Sequence, residues 1–134
     1  MLLRGIVVAG LALATAAFAG EAPPFAGQWK IVEVAGAPTP DVAKTDFKTL
    51  EESRIGTSVG CNRIVGGMKV DGDTLTFGQM GATMMACPPP LDAVERAYLK
   101  ALEAVRKWRM AGESLTFLDG EGAVVVKLEP APAQ

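Results

Sequence analysis

Cys61 and Cys87 are the only two cysteines in a chain of 134 residues that contains no histidine. Without imidazole, a nucleophilic triad in its usual form is excluded, and so is a zinc site built on mixed Cys and His donors. There is no Cys-x-x-Cys pair to carry dithiol exchange. A Ser–Lys dyad would have to draw on Ser53, Ser58 or Ser114, and no motif sets a lysine beside any of them. Asp71/Asp73 and Asp119/Glu121 each flank a glycine, but they lack the further ligands and terminal glutamate of a calcium loop. Hairpin turns account for them. Met80, Met84 and Met85 lie close to Cys87 in sequence, and Met68 and Met110 are the other internal thioethers. Soft sulfur donors suit Cu(I). Strand alternation would put Met84 and Met85 on opposite faces, however, and packing into irregular core gaps is the stronger reading. No catalytic, cofactor-binding or metal-binding residue is assigned, and the chain is read as a non-enzyme.

The leader decides what the two cysteines mean. Met1-Leu2-Leu3-Arg4 carries a single positive charge, and the apolar run from Gly5 to Ala19 closes on Ala17-Phe18-Ala19, a small-x-small cleavage pattern. That run is roughly 15 residues long, short of the roughly 20 needed to span a bilayer. Residues 1–19 are read as a signal peptide cleaved near Ala19, and no cysteine follows it to take a lipid. The mature protein is expected in the periplasm or secreted, without a membrane span and as a monomer. In that oxidising setting two cysteines read as one bridge, with two buried free thiols as the alternative and redox chemistry behind both. Removing Arg4 shifts the formal net charge from −2 to −3, which argues against a nucleic-acid partner.

The elements that must hold these residues are short strands and one helix. Gln28–Val34 alternates apolar and polar positions, with a slip near Val32, and Gly36–Pro40 reads as a loop. Around Asp46–Thr57 a strand beginning at Phe47 or Leu50, a turn at Glu51-Glu52-Ser53 and a second strand from Arg54 are one arrangement. Ile64–Val70 and Thr74–Phe77 flank Asp71-Gly72-Asp73 as a hairpin. Gln79–Met85 reads as a further strand, stopped by Pro88-Pro89-Pro90. Leu91, Val94, Tyr98, Leu102 and Val105 then recur at helical spacing, predicting an amphipathic helix over 91–106 with Asp92 and Glu95 as a capping pair. Its other face carries Arg96, Lys100, Arg106 and Lys107 among glutamates, an ordinary solvated surface; Glu103 and Lys107 are set for an i, i+4 pair. Strands at Trp108–Met110, Ser114–Leu118 and Ala123–Leu128 complete the chain. The pattern predicts a mainly β, α+β domain over 20–130. It would be a small curled antiparallel sheet or lipocalin-like barrel of about eight strands with one helix packed on it, and 131–134 a disordered tail.

Several of these residues, taken in order, carry a resemblance. They are Trp29, Gly60-Cys61-Asn62 with Gly66, Leu75 and Phe77, Thr83-x-Met85-Ala86-Cys87, Leu102, Gly112 and Leu115. Together they resemble the META domain of HslJ-like, DUF306-type exported bacterial proteins. Ile64, where that family often has an aromatic residue, and the triple proline are departures. The resemblance implies a Cys61–Cys87 bridge, backbone freedom or close approach at Gly60 and Gly66, and an Asn62 amide that satisfies neighbouring backbone groups. Thr83 and Met85 would be structural motif positions. It carries no catalytic activity. It implies an envelope stress or maintenance factor that binds another envelope protein. The alternative is a small apolar ligand or lipid in a barrel-like cavity lined by Trp29 and Trp108.

Overall fold

The structure, a computed structural model, describes residues 23–132 together with the isolated Gly5 and Gly10. Apart from those two glycines, the expected signal peptide lies outside the described residues, as do Ala133 and Gln134 of the expected tail. The elements are β1 Gln28–Val34, β2 Ala37–Pro38, β3 Asp46–Leu50, β4 Arg54–Ser58, β5 Ile64–Asp71, β6 Thr74–Ala82, α1 Leu91–Ala104, β7 Lys107–Ala111, β8 Ser114–Leu118 and β9 Val124–Pro130. Nine antiparallel strands form one curled sheet, in which β1, β3 and then β4 to β9 pair in order and β9 returns to pair with β1. The sheet is therefore ring-like. The strand beyond the expected eight is β2, inside the segment read as a loop. Ala35 and Gly36, both at positive φ, form a tight turn that folds Ala37 and Pro38 back onto Val34 and Glu33.

The phase slip in β1 has a structural cause. Trp29 and Ile31 face the core, the register against β9 shifts between Ile31 and Glu33, and Val34 faces the core after it. One extra residue in a strand reverses the alternation beyond it. β3 and β4 form the hairpin that the sequence left open, with Glu52 and Ser53 at positive φ in its turn. On the far side, β6 is one strand from Thr74 to Ala82 rather than two. Gly78 does not break it, because the β5–β6 register absorbs an extra β6 residue between the Gly66↔Met80 and Met68↔Phe77 pairs. Pro130 is the last residue of β9, and beyond it, in the expected tail, Ala131 N–H still donates to the Gln28 carbonyl at 3.3 Å.

The helix is the crossover from β6 to β7, which meet at Thr74 opposite Lys107. It packs against β9, β1 and β6, burying Tyr98, Ala101 and Leu102. It ends at Ala104, two residues early, because Val105 turns to an extended conformation and Arg106 N–H donates to the Leu118 carbonyl at 2.8 Å. Lys107 is thereby in β7 and not on the helix. The Arg106 guanidinium donates to the Glu103 and Val105 carbonyls at 2.9 and 2.7 Å, occupying acceptors that the helix end leaves free. At the other end the capping pair is not formed. Pro90 is the N-cap, and Asp92 accepts from its neighbour Ala93 and lies 3.8 Å from Arg96. Glu95 turns instead towards the β4–β5 loop.

Rings fill the inside. Phe117 lies edge-on to Phe25 and Phe47, at 6.1 and 5.3 Å between centroids, and is tilted against Phe77 at 5.5 Å. Phe25, from the segment ahead of β1, also meets Trp108 at 5.0 Å and accepts the Trp29 indole N–H on its carbonyl at 2.8 Å. Trp29 is buried, whereas Trp108 is half-buried with its indole N–H on the Gly72 carbonyl at 2.8 Å. Thr57 and Tyr98 form a buried polar pair in the core. Buried Thr57 donates its hydroxyl hydrogen to the Asp46 carbonyl at 2.7 Å, so at 2.6 Å it can only accept from the hydroxyl of buried Tyr98.

Two outcomes follow from this packing. Phe117→Ala removes the ring shared by three others and should lower the unfolding free energy by about 3–5 kcal/mol in a urea titration; a loss under 1 kcal/mol would contradict the ring packing. Burial pushes the Tyr98 hydroxyl well above the ordinary phenol range. The folded state thus holds this proton more tightly, and the stability it contributes is present below the unfolded phenol pKa of about 10 and lost as pH rises past it. The unfolding midpoint should fall above about pH 10, and Tyr98→Phe should flatten that fall relative to wild type.

Candidate functional site

The region richest in polar interactions lies where the β4–β5 loop meets the segment between β6 and α1. Gly60 lets that loop turn. It sits at φ +115°, and a Cβ there would stand 3.1 Å from Leu91 Cδ2 and 3.2 Å from the Ala43 backbone. Gly66 in β5 needs room for a different reason, since a Cβ there would run into the Met80 sulfur and lie 3.2 Å from the Gln79 carbonyl. Between them, Cys61 is joined to Cys87 by a disulfide with a Cα–Cα distance of 5.9 Å.

Asn62, only 4% exposed, is the centre of the cluster. Its Oδ1 accepts from the Thr83 hydroxyl at 2.9 Å and from Met85 N–H at 2.8 Å. Its Nδ2 donates to Glu95 Oε2 at 2.7 Å and approaches the Met85 carbonyl and Cys87 Sγ, each at 3.3 Å. Asn62 N–H donates to the other Glu95 oxygen at 2.9 Å, so one helix carboxylate grips both the backbone and the side chain of this residue. Thr83 is tied again, its N–H to the Arg63 carbonyl at 3.1 Å and its hydroxyl accepting Arg63 N–H at 3.0 Å. Outside, the Arg63 guanidinium reaches both Asp46 oxygens at 2.9 Å, a half-exposed pair whose contribution is modest.

These bonds end β6 at Ala82. Beyond that point the Asn62 amide takes the donor and acceptor of Met85 that a sheet ladder would have used. Met84 and Met85 are accordingly not on a strand, and they are not packed in the core: they are 94% and 59% exposed. The expectation of core methionines holds for Met68, at 7%, with Met80 packed against the core from its edge. The strand argument against a shared thioether site also lapses, since both side chains project from one loop.

The cluster fixes the backbone path of the segment between β6 and the helix. The two sulfurs and a Glu95 oxygen lie within 4.8 Å of one another, a spacing that a metal could use. The sulfurs are bonded to each other, though, and metal ligation needs free thiolates. Both Glu95 oxygens are engaged by Asn62. In the Asp119 turn the carboxylate has its own partners, Asp119 Oδ1 accepting from Glu121 and Ala123 N–H, each at 2.9 Å. A surface groove of about 360 Å³ is lined by Glu33, Gly36, Ser114, Thr116, Val124 and Lys127, away from Trp29 and Trp108.

The sequence model of the META domain matches residues 23–132. The chain belongs to the META domain family. No curated protein sequence matches it. Among solved structures, this META domain is similar to a protein from Burkholderia xenovorans solved by NMR, with a TM-score of 0.63, 23% identity, and coverage of 80% of this chain and 83% of that one. A second NMR structure gives a TM-score of 0.61 at 21% identity, covering 77% and 87%. A crystal structure of a DUF4847 family protein from Bacteroides vulgatus gives 0.59 at 14% identity, covering 81% and 95%. At these identities the likeness is one of fold.

The sequence pointed to Asn62, Thr83, Met85 and both cysteines, and they meet here; it paired Glu95 with the wrong partner. The signal was available in principle, because Glu95 lies one position past Val94 of the apolar stripe, where a carboxylate is drawn inward only by a donor.

Asn62→Ala should lower stability by about 1–3 kcal/mol and open the 83–90 segment to protease cleavage that wild type resists. Cys61→Ser with Cys87→Ser, opening a loop whose ends are 26 residues apart, should lower it by about 3–4 kcal/mol. Urea titration and limited proteolysis read both, and wild-type resistance in Asn62→Ala would remove the amide from this role.

Proposed function

We propose that this META domain is an exported, non-enzymatic binding protein of the bacterial envelope that acts in stress or maintenance by holding another envelope protein. The observation that carries the reading is the 83–90 segment. It leaves Met84 and Met85 exposed beside exposed Pro88, Pro89 and Pro90, while its backbone is fixed by Asn62 and the disulfide. Flexible thioethers on a fixed backbone make an adaptable apolar contact with little ordering cost to the chain that carries them. The disulfide supports an oxidising compartment. No helix among the described residues is long and apolar enough to cross a membrane. The protein is proposed to work as a monomer in the periplasm or outside the cell.

The alternative, a small apolar ligand or lipid within the ring of strands, competes with Phe25, Phe47, Phe77 and Phe117 for the same space. No feature of the packing favours it.

A photo-crosslinking residue placed at 84 in the exporting cell should give a discrete heavier adduct. The same residue at exposed Lys69, near the turn end of the β5–β6 hairpin, should not. Adducts of equal yield from both positions, or none from 84, would end the assignment of this segment as the binding surface.

A further inference from the structure

We propose that Met84 and Met85 form a surface oxidation site, where the folded chain accepts oxygen from a hydroperoxide without losing its structure. The inference does not depend on the protein-binding reading. Five methionines lie among the described residues and their environments differ sharply. Met68 is 7% exposed, Met80 is half-buried against the core, Met110 is 40% exposed, and Met85 and Met84 are 59% and 94% exposed. Thioether oxidation follows access to the sulfur, so the order of reaction should follow the order of exposure.

Access alone would make this a property of any floppy loop. Here the exposure is built in. Thr83 is held by Arg63 and Asn62, Met85 is held through its N–H and carbonyl by the Asn62 amide, and Cys87 is held by the disulfide. A segment fixed at three such points cannot fold back to bury the two thioethers. The fixing groups are Asn62 and Thr83 side chains, backbone atoms and the disulfide, and neither methionine sulfur is among them. Converting a thioether to a polar sulfoxide disrupts a core but not a side chain that already stands in water. Met68 is the opposite case, since its sulfoxide would have to be accommodated inside the ring of strands.

In the step itself, a lone pair on Sδ attacks the distal oxygen of the hydroperoxide and the O–O bond breaks. Sulfur is oxidised by two electrons as the S–O bond forms. The proton of the distal oxygen passes through solvent to the departing oxygen, which leaves as water or an alcohol. The fixed, outward position also leaves the sulfoxide open to a reductase that restores methionine with a dithiol.

Peptide mapping by mass spectrometry on the folded full chain, disulfide intact, over a time course in hydrogen peroxide tests this. Met84 and Met85 should each gain one oxygen first. Met84 should react roughly tenfold faster than Met68, in line with 94% and 7% exposure. The urea midpoint of protein oxidised at 84 and 85 should match that of untreated protein, and the rate difference should vanish in unfolding concentrations of urea. The proposal is overturned if Met68 or Met110 reacts as fast as Met84 in the folded chain. It is equally overturned if oxidation confined to Met84 and Met85 lowers the midpoint. Met84→Leu with Met85→Leu, substitutions on the surface that should fold normally, must abolish the early oxygen uptake for the proposal to stand.

Discussion

The side-chain amide of Asn62 and the Glu95 carboxylate join three parts of the chain that no strand ladder connects: the β4–β5 loop, the segment after β6, and the helix. A buried amide is tolerable only when its donors and acceptor are matched, and here both ends are used. Because the partners come from positions 62, 83, 85 and 95, the network forms only when the crossover is in place. The disulfide acts in parallel on the same two loops. One element limits how far the ends can separate, and the other sets the backbone path between them. Neither could replace the other, since a covalent link at Cys87 leaves the two preceding residues free to rejoin a strand.

That local network matters because the ring of strands has a short seam. β6 meets β7 at Thr74 and Lys107, and the connection between them is the helix itself. The helix is therefore held to the sheet by three kinds of interaction: its apolar stripe on β9, β1 and β6, the Tyr98–Thr57 hydrogen bond inside, and Glu95 on Asn62 at its first turns. Each polar tie fixes the helix at a different height along its axis, which apolar packing alone would leave free to slide. Arg106 then closes the last turn and hands the chain to β7.

How much of this could be read from the chain depends on whether the signal was local. The bulge in β1 was visible as a phase slip near Val32, because alternation is a property of neighbouring residues. The Asp71–Thr74 turn, the helix start after three prolines and the curled antiparallel architecture were legible for the same reason. The losses were non-local. Gln79–Met85 has the composition of a strand, and its second half becomes a loop only because Asn62, more than twenty residues earlier, takes the hydrogen-bonding groups of Met85. Phe25, in a Pro-rich approach to β1, gave no periodic sign that it would carry part of the core. Gly78 read as an interruption because the extra β6 residue is absorbed by a register shift that only the pairing with β5 reveals.

The same division separates scaffold from surface. At the candidate site the groups that fix the chain are an amide, a hydroxyl, a carboxylate, a disulfide and backbone atoms, while the side chains of Met84 and Met85 do none of the holding. A substitution at 84 that leaves the backbone conformation allowed therefore changes what the segment presents without changing where it is. A substitution at 62 does the reverse. This is the arrangement expected of a module whose contacts are adjustable on a fixed frame, because a rigid backbone carries little ordering cost into binding. It also explains why the motif residues identify the fold and say little of the activity. They lie on the holding side of the network, and the exposed methionine side chains lie on the other.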